Sequence, residues 1–194
     1  PFDNDDVIAG QGTACLEALK DGIAPVAIFA TCGGGGWLSG SYLATQLFEP
    51  CIPVYGVEPR QGNDAAQSLR EGQIVRLSDT PDTIADGVRT LAVSERTFHY
   101  LKQLAGMIEV EEKEIIYWTQ WLTHLLKTTV EPSSAVAMAG AARWLSPRST
   151  PETILVLLSG GNVGPETYRE IWQHNLLEIP PAPSMPRYDR QYQA

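Results

Sequence analysis

The chain has 194 residues, 43% of them hydrophobic, and a formal net charge of −9. That length and apolar content support one ordinary domain with a packed core and exclude a wholly disordered chain. The acidic balance argues against nucleic acid or an anionic membrane as a general partner, and no block of Lys and Arg offsets it. The three cysteines, Cys15, Cys32 and Cys51, are odd in number and lack metal-ligand spacing, as expected of reduced thiols in a cytoplasmic protein. His99, His124 and His174 lie far apart and match no metal motif. No apolar run reaches membrane-spanning length, and the first residues do not read as a signal peptide.

Pro1-Phe2-Asp3-Asn4-Asp5-Asp6 opens without an initiator Met, which reads as a processed, truncated or fragmentary chain. Val7 to Lys20 has helical spacing, weakened by Gly10 and Gly12. The apolar run 25–30 predicts a buried parallel strand, followed by four glycines and a helix to Phe48 that Glu49-Pro50 ends. A second strand is expected over 52–57, a helix over 62–71 and a short strand over 73–77. A helix over 94–105 and a strand over 107–110 follow. Residues 111–127 predict a strong helix, with Ile115, Trp118, Leu122 and Leu125 on one stripe and acidic residues in its first turn. An alanine-rich helix over 133–145 precedes a buried strand over 153–158. That strand runs into Ser159-Gly160-Gly161-Asn162-Val163-Gly164, with Pro165 suited to a first helical position. The tail from 179 is proline-rich and has no apolar period. Alternating strands and helices predict an α/β fold, a parallel sheet with helices on both faces. Ligands in such sheets sit beyond the carboxyl ends of the strands, where two turns here are rich in glycine.

Gly33-Gly34-Gly35-Gly36 costs much backbone entropy, so it must serve a purpose beyond a turn. Without Cβ atoms, successive N–H groups can converge on one anion, and the helix that follows adds unpaired N–H groups and its positive dipole end. A phosphate is the natural guest; a flexible turn without a ligand is the alternative. Two ligand readings stay open on the residues alone. Gly34-x-Gly36-x-x-x-Gly40, with Glu58 at the next strand's end, approximates a dinucleotide fingerprint but leaves the 159–162 turn idle. A pyridoxal phosphate uses both turns, its phosphate in the glycine cradle and its ring nitrogen against Ser159.

Six segments in order carry a resemblance: residues 7–13, 33–40, 55–59, 83–88, 131–135 and 158–163. Through Val7-Ile8-Ala9-Gly10-Gln11-Gly12-Thr13, the four-glycine loop, Glu131-Pro132-Ser133-Ser134-Ala135 and Leu158-Ser159-Gly160-Gly161-Asn162-Val163, the chain resembles the serine/threonine dehydratase and serine racemase family. These are pyridoxal-phosphate enzymes of fold type II, the tryptophan synthase beta-like fold. The resemblance implies that 1–178 is the carboxyl-terminal portion of that fold, hence incomplete, and that 179–194 is a tail. It gives Gly33, Gly34, Gly35, Gly36 and the Trp37 amide the cofactor phosphate, Ser159 the pyridine nitrogen, and Gly87 and Glu131 places near the cofactor. Glu131 reads equally as a carboxylate satisfied by amides at a helix start. A neutral hydroxyl at Ser159 makes the ring a weaker electron sink than a carboxylate would, which suits β-elimination. Glu58, Gly62 and Asp64 match the family's divalent-metal pattern, where oxygen ligands suit Mg²⁺ or Ca²⁺; two solvated acids in a turn are the alternative.

The resemblance also shows what is missing. The family's Schiff-base lysine lies upstream, and Lys20, Lys102, Lys113 and Lys127 do not share its setting. The expectation is a threonine/serine ammonia-lyase acting on an amino acid and homodimeric as a parent protein, with this chain alone inactive. An amino-acid racemase on the same scaffold, a non-catalytic binding module and a nicotinamide-binding domain are the other readings.

Overall fold

The computed structural model describes residues 2–181. Its centre is a sheet of β1 (Ile28–Thr31), β2 (Val54–Pro59), β3 (Gly106–Val110) and β4 (Leu155–Val156) in the order β3-β2-β1-β4. All three pairings are parallel, with Ile28 opposite both Val54 and Leu155, and Tyr55 opposite Gly106. Every residue of β1 is buried, as a strand covered on both faces requires. Its side chains alternate between two cores. Phe29 faces a core built with α6 (Glu112–Leu126), α7 (Pro132–Leu145) and α8 (Pro165–Ile171). Ile28 and Ala30 face a second core, built with α2 (Thr13–Lys20), α3 (Gly36–Phe48) and α5 (Glu95–Leu101). This is the α/β arrangement expected from the alternation, with helices on both faces.

Strand order decides where a ligand can sit. The chain leaves β1 toward β2 on one side and returns as β4 on the other, so the direction of winding reverses at the β1–β4 junction. At such a switch point the loops diverge and open a crevice at the carboxyl ends of the strands. The glycine loop follows β1 and the 159–162 turn follows β4, so both open into that crevice.

Several local expectations need correction. The helix expected over Val7–Lys20 is two, α1 (Asp5–Gln11) and α2, broken at Gly12. There the backbone crosses α3: a Cβ on Gly12 would lie 2.4 Å from the Gly40 carbonyl oxygen, and one on Gly40 2.2 Å from that of Ile8. The contact is backbone to backbone and leaves no room for side chains. Residues 73–77 form no strand; the Val75 amide donates to Ser68 Oγ and the Leu77 amide to the Leu91 carbonyl. The helix after β2 is α4 (Asp64–Glu71), shorter than expected because 60–62 form a 3-10 turn. The strand expected over 153–158 narrows to the two residues of β4. In α6, Ile115, Trp118 and Leu122 are buried, but Leu125 is 55% exposed because the helix outruns the core. Most of the proline-rich tail falls outside the described residues. No helix among the described residues is long and apolar enough to cross a membrane.

Candidate active site

The crevice is organised by the first turn of α7. Thr31 Oγ1, at the end of β1, donates to the Ser133 carbonyl at 2.9 Å, tying the glycine loop's root to that turn. Ser133 Oγ accepts the Gly87 amide at 2.9 Å and so holds the 86–88 turn against the crevice. Ser134 Oγ accepts the amides of Ser159 at 3.0 Å and Gly160 at 2.7 Å. The Glu131 amide donates to the Gly160 carbonyl, and its carboxylate accepts the Asn162 amide at 3.1 Å. Glu131 is the residue before α7, yet its side chain makes no cap to that helix and turns instead to the 160–162 turn. The carboxylate at this helix start is thus satisfied by a backbone amide, but one of the neighbouring turn rather than of α7. Glu131, Ser133 and Ser134 thus stitch together the ends of β1 and β4 and the Gly87 turn.

On the opposite wall, Ser94 caps α5 and Thr97 Oγ1 donates to the Gly34 carbonyl at 2.8 Å. Gly35 adopts φ +90°, and a Cβ there would lie 2.8 Å from Thr97 Cβ. Only glycine meets both demands. The amides of Gly33, Gly34 and Gly35 donate to no acceptor among the described residues. Those of Gly36 and Trp37 open the 13-residue helix α3, where first-turn N–H groups have no partner within the helix. The result is a cluster of free donors at a positive helix end.

A cavity of about 370 Å³ lies between these walls. Gly33, Gly34, Gly35, Gly36, Trp37, Gly87, Glu131 and Ser159 all line it, so the structure brings together every residue that the sequence suggested for a cofactor. The size suits a small aromatic ligand. Buried Trp37 Nε1 and Thr90 Oγ1, on two lining residues, have no hydrogen-bond partner. Donors without acceptors, a cradle closed to side chains and a hydroxyl across the cavity fit a phosphorylated pyridine ring. Sequence reasoning missed Thr31, Ser133, Ser134, Thr97 and Phe2. The Phe2 ring packs on the glycine loop, where a Cβ on Gly34 would come within 2.2 Å of it. Arg96 of α5 holds this segment through Asp3 and Asp5. Ser133 and Ser134 stand in the 131–135 segment that carries the resemblance, but only tertiary contact reveals these roles.

Glu58 and Asp64 lie apart from the cavity's lining, and both are fully buried. They are not solvated acids in a turn. Glu58 closes β2 near the start of α4, and its carboxylate accepts the amides of Ala65 at 3.2 Å and Ala66 at 2.9 Å. Burial, with the neighbouring Asp64 charge, still drives its pKa well above the usual carboxylate range. Both oxygens of Asp64 lack a hydrogen bond. Burial pushes its pKa up to about 7, the larger effect, while the nearby amides of Asp64 and Val93 pull the other way. Gly62 is buried in the intervening 3-10 turn. Among the described residues, no three His, Cys, Asp or Glu side chains form a metal cluster. Cys32, beneath the glycine loop, is held protonated by burial and then by the Glu58 and Asp64 charges, which makes it a packing residue. Because Glu58 is consumed by α4 amides, it has no access to a ribose, and the dinucleotide reading fails.

The family model described as pyridoxal-phosphate dependent enzyme matches residues 1–160. The chain belongs to the pyridoxal-phosphate dependent enzyme family. Within the family it is 42% identical over 170 residues to serine racemase of Schizosaccharomyces pombe, covering 87% of this chain and 52% of that protein. It is 39% identical over 169 residues to L-threo-3-hydroxyaspartate ammonia-lyase of Saccharomyces cerevisiae, covering 87% and 51%. The processed form of threonine deaminase isoform 2 from Solanum lycopersicum superposes with a TM-score of 0.84 at 33% identity, over 89% of this chain and 51% of that one. The chain spans about half the length of these relatives, and its sheet is that of fold type II pyridoxal-phosphate enzymes. None of its four lysines lines the cavity; Lys102 lies over the Phe98 ring on α5.

Proposed function

We propose that the whole protein containing this chain is a pyridoxal-phosphate-dependent ammonia-lyase that converts L-threonine or L-serine into a 2-oxo acid and ammonia. The observation that carries this reading is the shared cavity of the glycine loop and Ser159, at the switch point of a fold type II sheet. In it the amides of residues 33–37 hold the cofactor phosphate. Ser159 meets the ring nitrogen, Gly87 lets the ring approach its backbone, and Glu131 stands at the ring's side. When bound, the cofactor supplies an electron sink for the bond broken at the substrate α-carbon. The chain's own residues bind and orient it, and a neutral Ser159 keeps that sink weak enough for the β-hydroxyl to leave early.

The second reading, an amino-acid racemase, is favoured by the identity to the Schizosaccharomyces pombe serine racemase. A binding module without catalysis is the remaining alternative, and it suits this chain if it acts alone, since no lysine lines the cavity. The reading further includes a homodimeric whole protein in the cytoplasm, the latter supported by three free cysteines. Mg²⁺ or Ca²⁺ is proposed at Glu58, the Gly62 carbonyl and Asp64, because two buried acids, one without any partner, fit a cation with oxygen ligands.

The test expresses the complete reading frame with pyridoxal phosphate and follows 2-oxo acid from L-threonine and L-serine, alongside D-serine from L-serine. Steady 2-oxo acid release supports the lyase, and D-serine without it selects the racemase. Neither product refutes both enzyme readings.

A further inference from the structure

A second cavity, of about 230 Å³, lies between the start of α6 and the end of α8, and it shares no lining residue with the cofactor crevice. Lys113 and Ile116 line it from α6, Glu170 and Ile171 from α8, and Leu176 from the chain beyond. Lys113 and Ile116 are three apart and share one helix face. The buried Ile171 and Leu176 and the half-buried Ile116 belong to the core around Phe29 and give the cavity an aliphatic floor. Its far wall is pinned from within. Gln120 of α6 is fully buried, and its Nε2 donates to the Ile171 carbonyl and, at 2.8 Å, to the His174 carbonyl. Its Oε1 accepts the Leu176 amide at 2.9 Å. One buried amide thus holds both ends of the turn after α8, so the cavity is preformed rather than left by a loose loop.

Two opposite charges stand at the rim. Lys113 and Glu170 are exposed, and among the described residues neither makes an ion pair or a side-chain hydrogen bond. The acids beside Lys113 are already engaged: Glu111 with Arg60, Glu114 with Arg143, and Glu112 with the Ile84 amide. A cation in the first turn of a helix opposes its dipole, so the charge on Lys113 adds nothing to the stability of α6 itself.

We propose that this cavity is a second binding site, for a small α-amino acid with a branched aliphatic side chain. The ligand carboxylate meets Lys113, its ammonium meets Glu170, and its side chain covers Ile116, Ile171 and Leu176. A zwitterion with an apolar tail answers both unpaired charges and the floor together, whereas a plain anion or cation leaves one charge unmatched. The volume falls below that of pockets for drug-sized ligands and suits a molecule of amino-acid size. The site does not depend on the pyridoxal-phosphate reading.

The test titrates the isotope-labelled chain with L-leucine and follows amide and methyl shifts by NMR. Three further probes each lack one recognised part: 4-methylpentanoate the ammonium, 3-methylbutylamine the carboxylate, and L-serine the aliphatic tail. Leucine should shift the methyls of Ile116, Ile171 and Leu176 and the amides of 170–176 saturably, and leave the amides of 33–37 and Ser159 in place. Each lesser probe should bind at least about fivefold more weakly. Lys113→Gln and Glu170→Gln, both at exposed positions, should each weaken leucine by about fivefold and leave the response to pyridoxal phosphate unchanged. Shifts confined to the cofactor crevice overturn the proposal. So do an absence of saturation up to about 10 mM leucine and charge variants that bind it as wild type does. A chain that binds leucine at this cavity but no pyridoxal phosphate upholds the second site and refutes the functional reading alone.

Discussion

Gly35→Ala is the substitution whose cost the structure defines best, because Gly72 supplies its control. Both glycines have positive φ, +90° and +74°, so alanine meets comparable backbone strain at each, roughly 1–2 kcal/mol. At Gly72, which ends α4, a Cβ would meet nothing within 4 Å. At Gly35 it would lie 2.8 Å from Thr97 Cβ and 2.9 Å from Thr97 Oγ1. Thr97 cannot yield freely, since its hydroxyl holds the Gly34 carbonyl and belongs to the cap of α5. Overpacking of this kind costs about 1–3 kcal/mol. Gly35→Ala should therefore cost roughly 2–5 kcal/mol and Gly72→Ala roughly 1–2 kcal/mol. In a chain of this length the difference amounts to about 2–12 °C in Tm. Thermal and urea unfolding of the two variants measure it directly. Gly35→Ala should also weaken pyridoxal phosphate at least about tenfold, because the loop must move to admit the methyl, while Gly72→Ala leaves binding unchanged. Equal stability losses in the two variants, or a Gly35→Ala chain that binds as wild type does, would refute the steric account of the cradle.

Other outcomes follow from the buried acids and from the lysines. In chelator-treated protein, folded Asp64 keeps its proton to about pH 7, whereas an ordinary Asp ionises near 3.8. The folded state therefore binds more protons between those values, and stability should fall as pH rises through them, by up to about 4 kcal/mol. Asp64→Asn should flatten that slope and raise stability at pH 8; a stability that climbs from pH 5 to 7.5 in wild type contradicts the burial argument. Mg²⁺ or Ca²⁺ should raise the wild-type Tm above pH 7 and leave that of Asp64→Asn unchanged, and no wild-type response would dismiss the proposed cation. Borohydride reduction of the chain mixed with pyridoxal phosphate should give no stoichiometric adduct at a single lysine, since Lys20, Lys102, Lys113 and Lys127 all lie outside the cavity. Mass spectrometry finding one such adduct would show that a lysine reaches the site.

The strands and helices that carry the strongest patterns are legible in the sequence. The apolar run 25–30 reads as a strand buried on both faces, which the fold sets at Ile28–Thr31, and the acidic first turn of α6 marks that helix's start. The glycine loop and the 159–162 turn are also visible, because each follows an apolar run and each contains residues that favour special backbone geometry. What the sequence hides is adjacency. Nothing local says that β4 returns beside β1, yet that pairing alone makes two distant turns one cavity. Gly12 weakens a helix by its propensity, but the reason it breaks one is Gly40, in another helix. The lost strand at 73–77 shows the converse: its apolar residues satisfy their amides through Ser68 and Leu91 rather than through a neighbouring strand. Ser134 stands in a recognised motif, but its contacts belong to a turn 25 residues away. Glu58 and Asp64 have a metal-like spacing, and only the fold reveals that both are dry.

The central claim is that the amides after β1 and the hydroxyl after β4 hold one phosphorylated ring. Titration of the ¹⁵N-labelled chain with pyridoxal phosphate measures this most directly. The account predicts saturable one-to-one shifts that move the amides of residues 33–37 and of Ser159 together, with a single dissociation constant. Shifts confined to one of the two turns, or separate affinities at each, would contradict it.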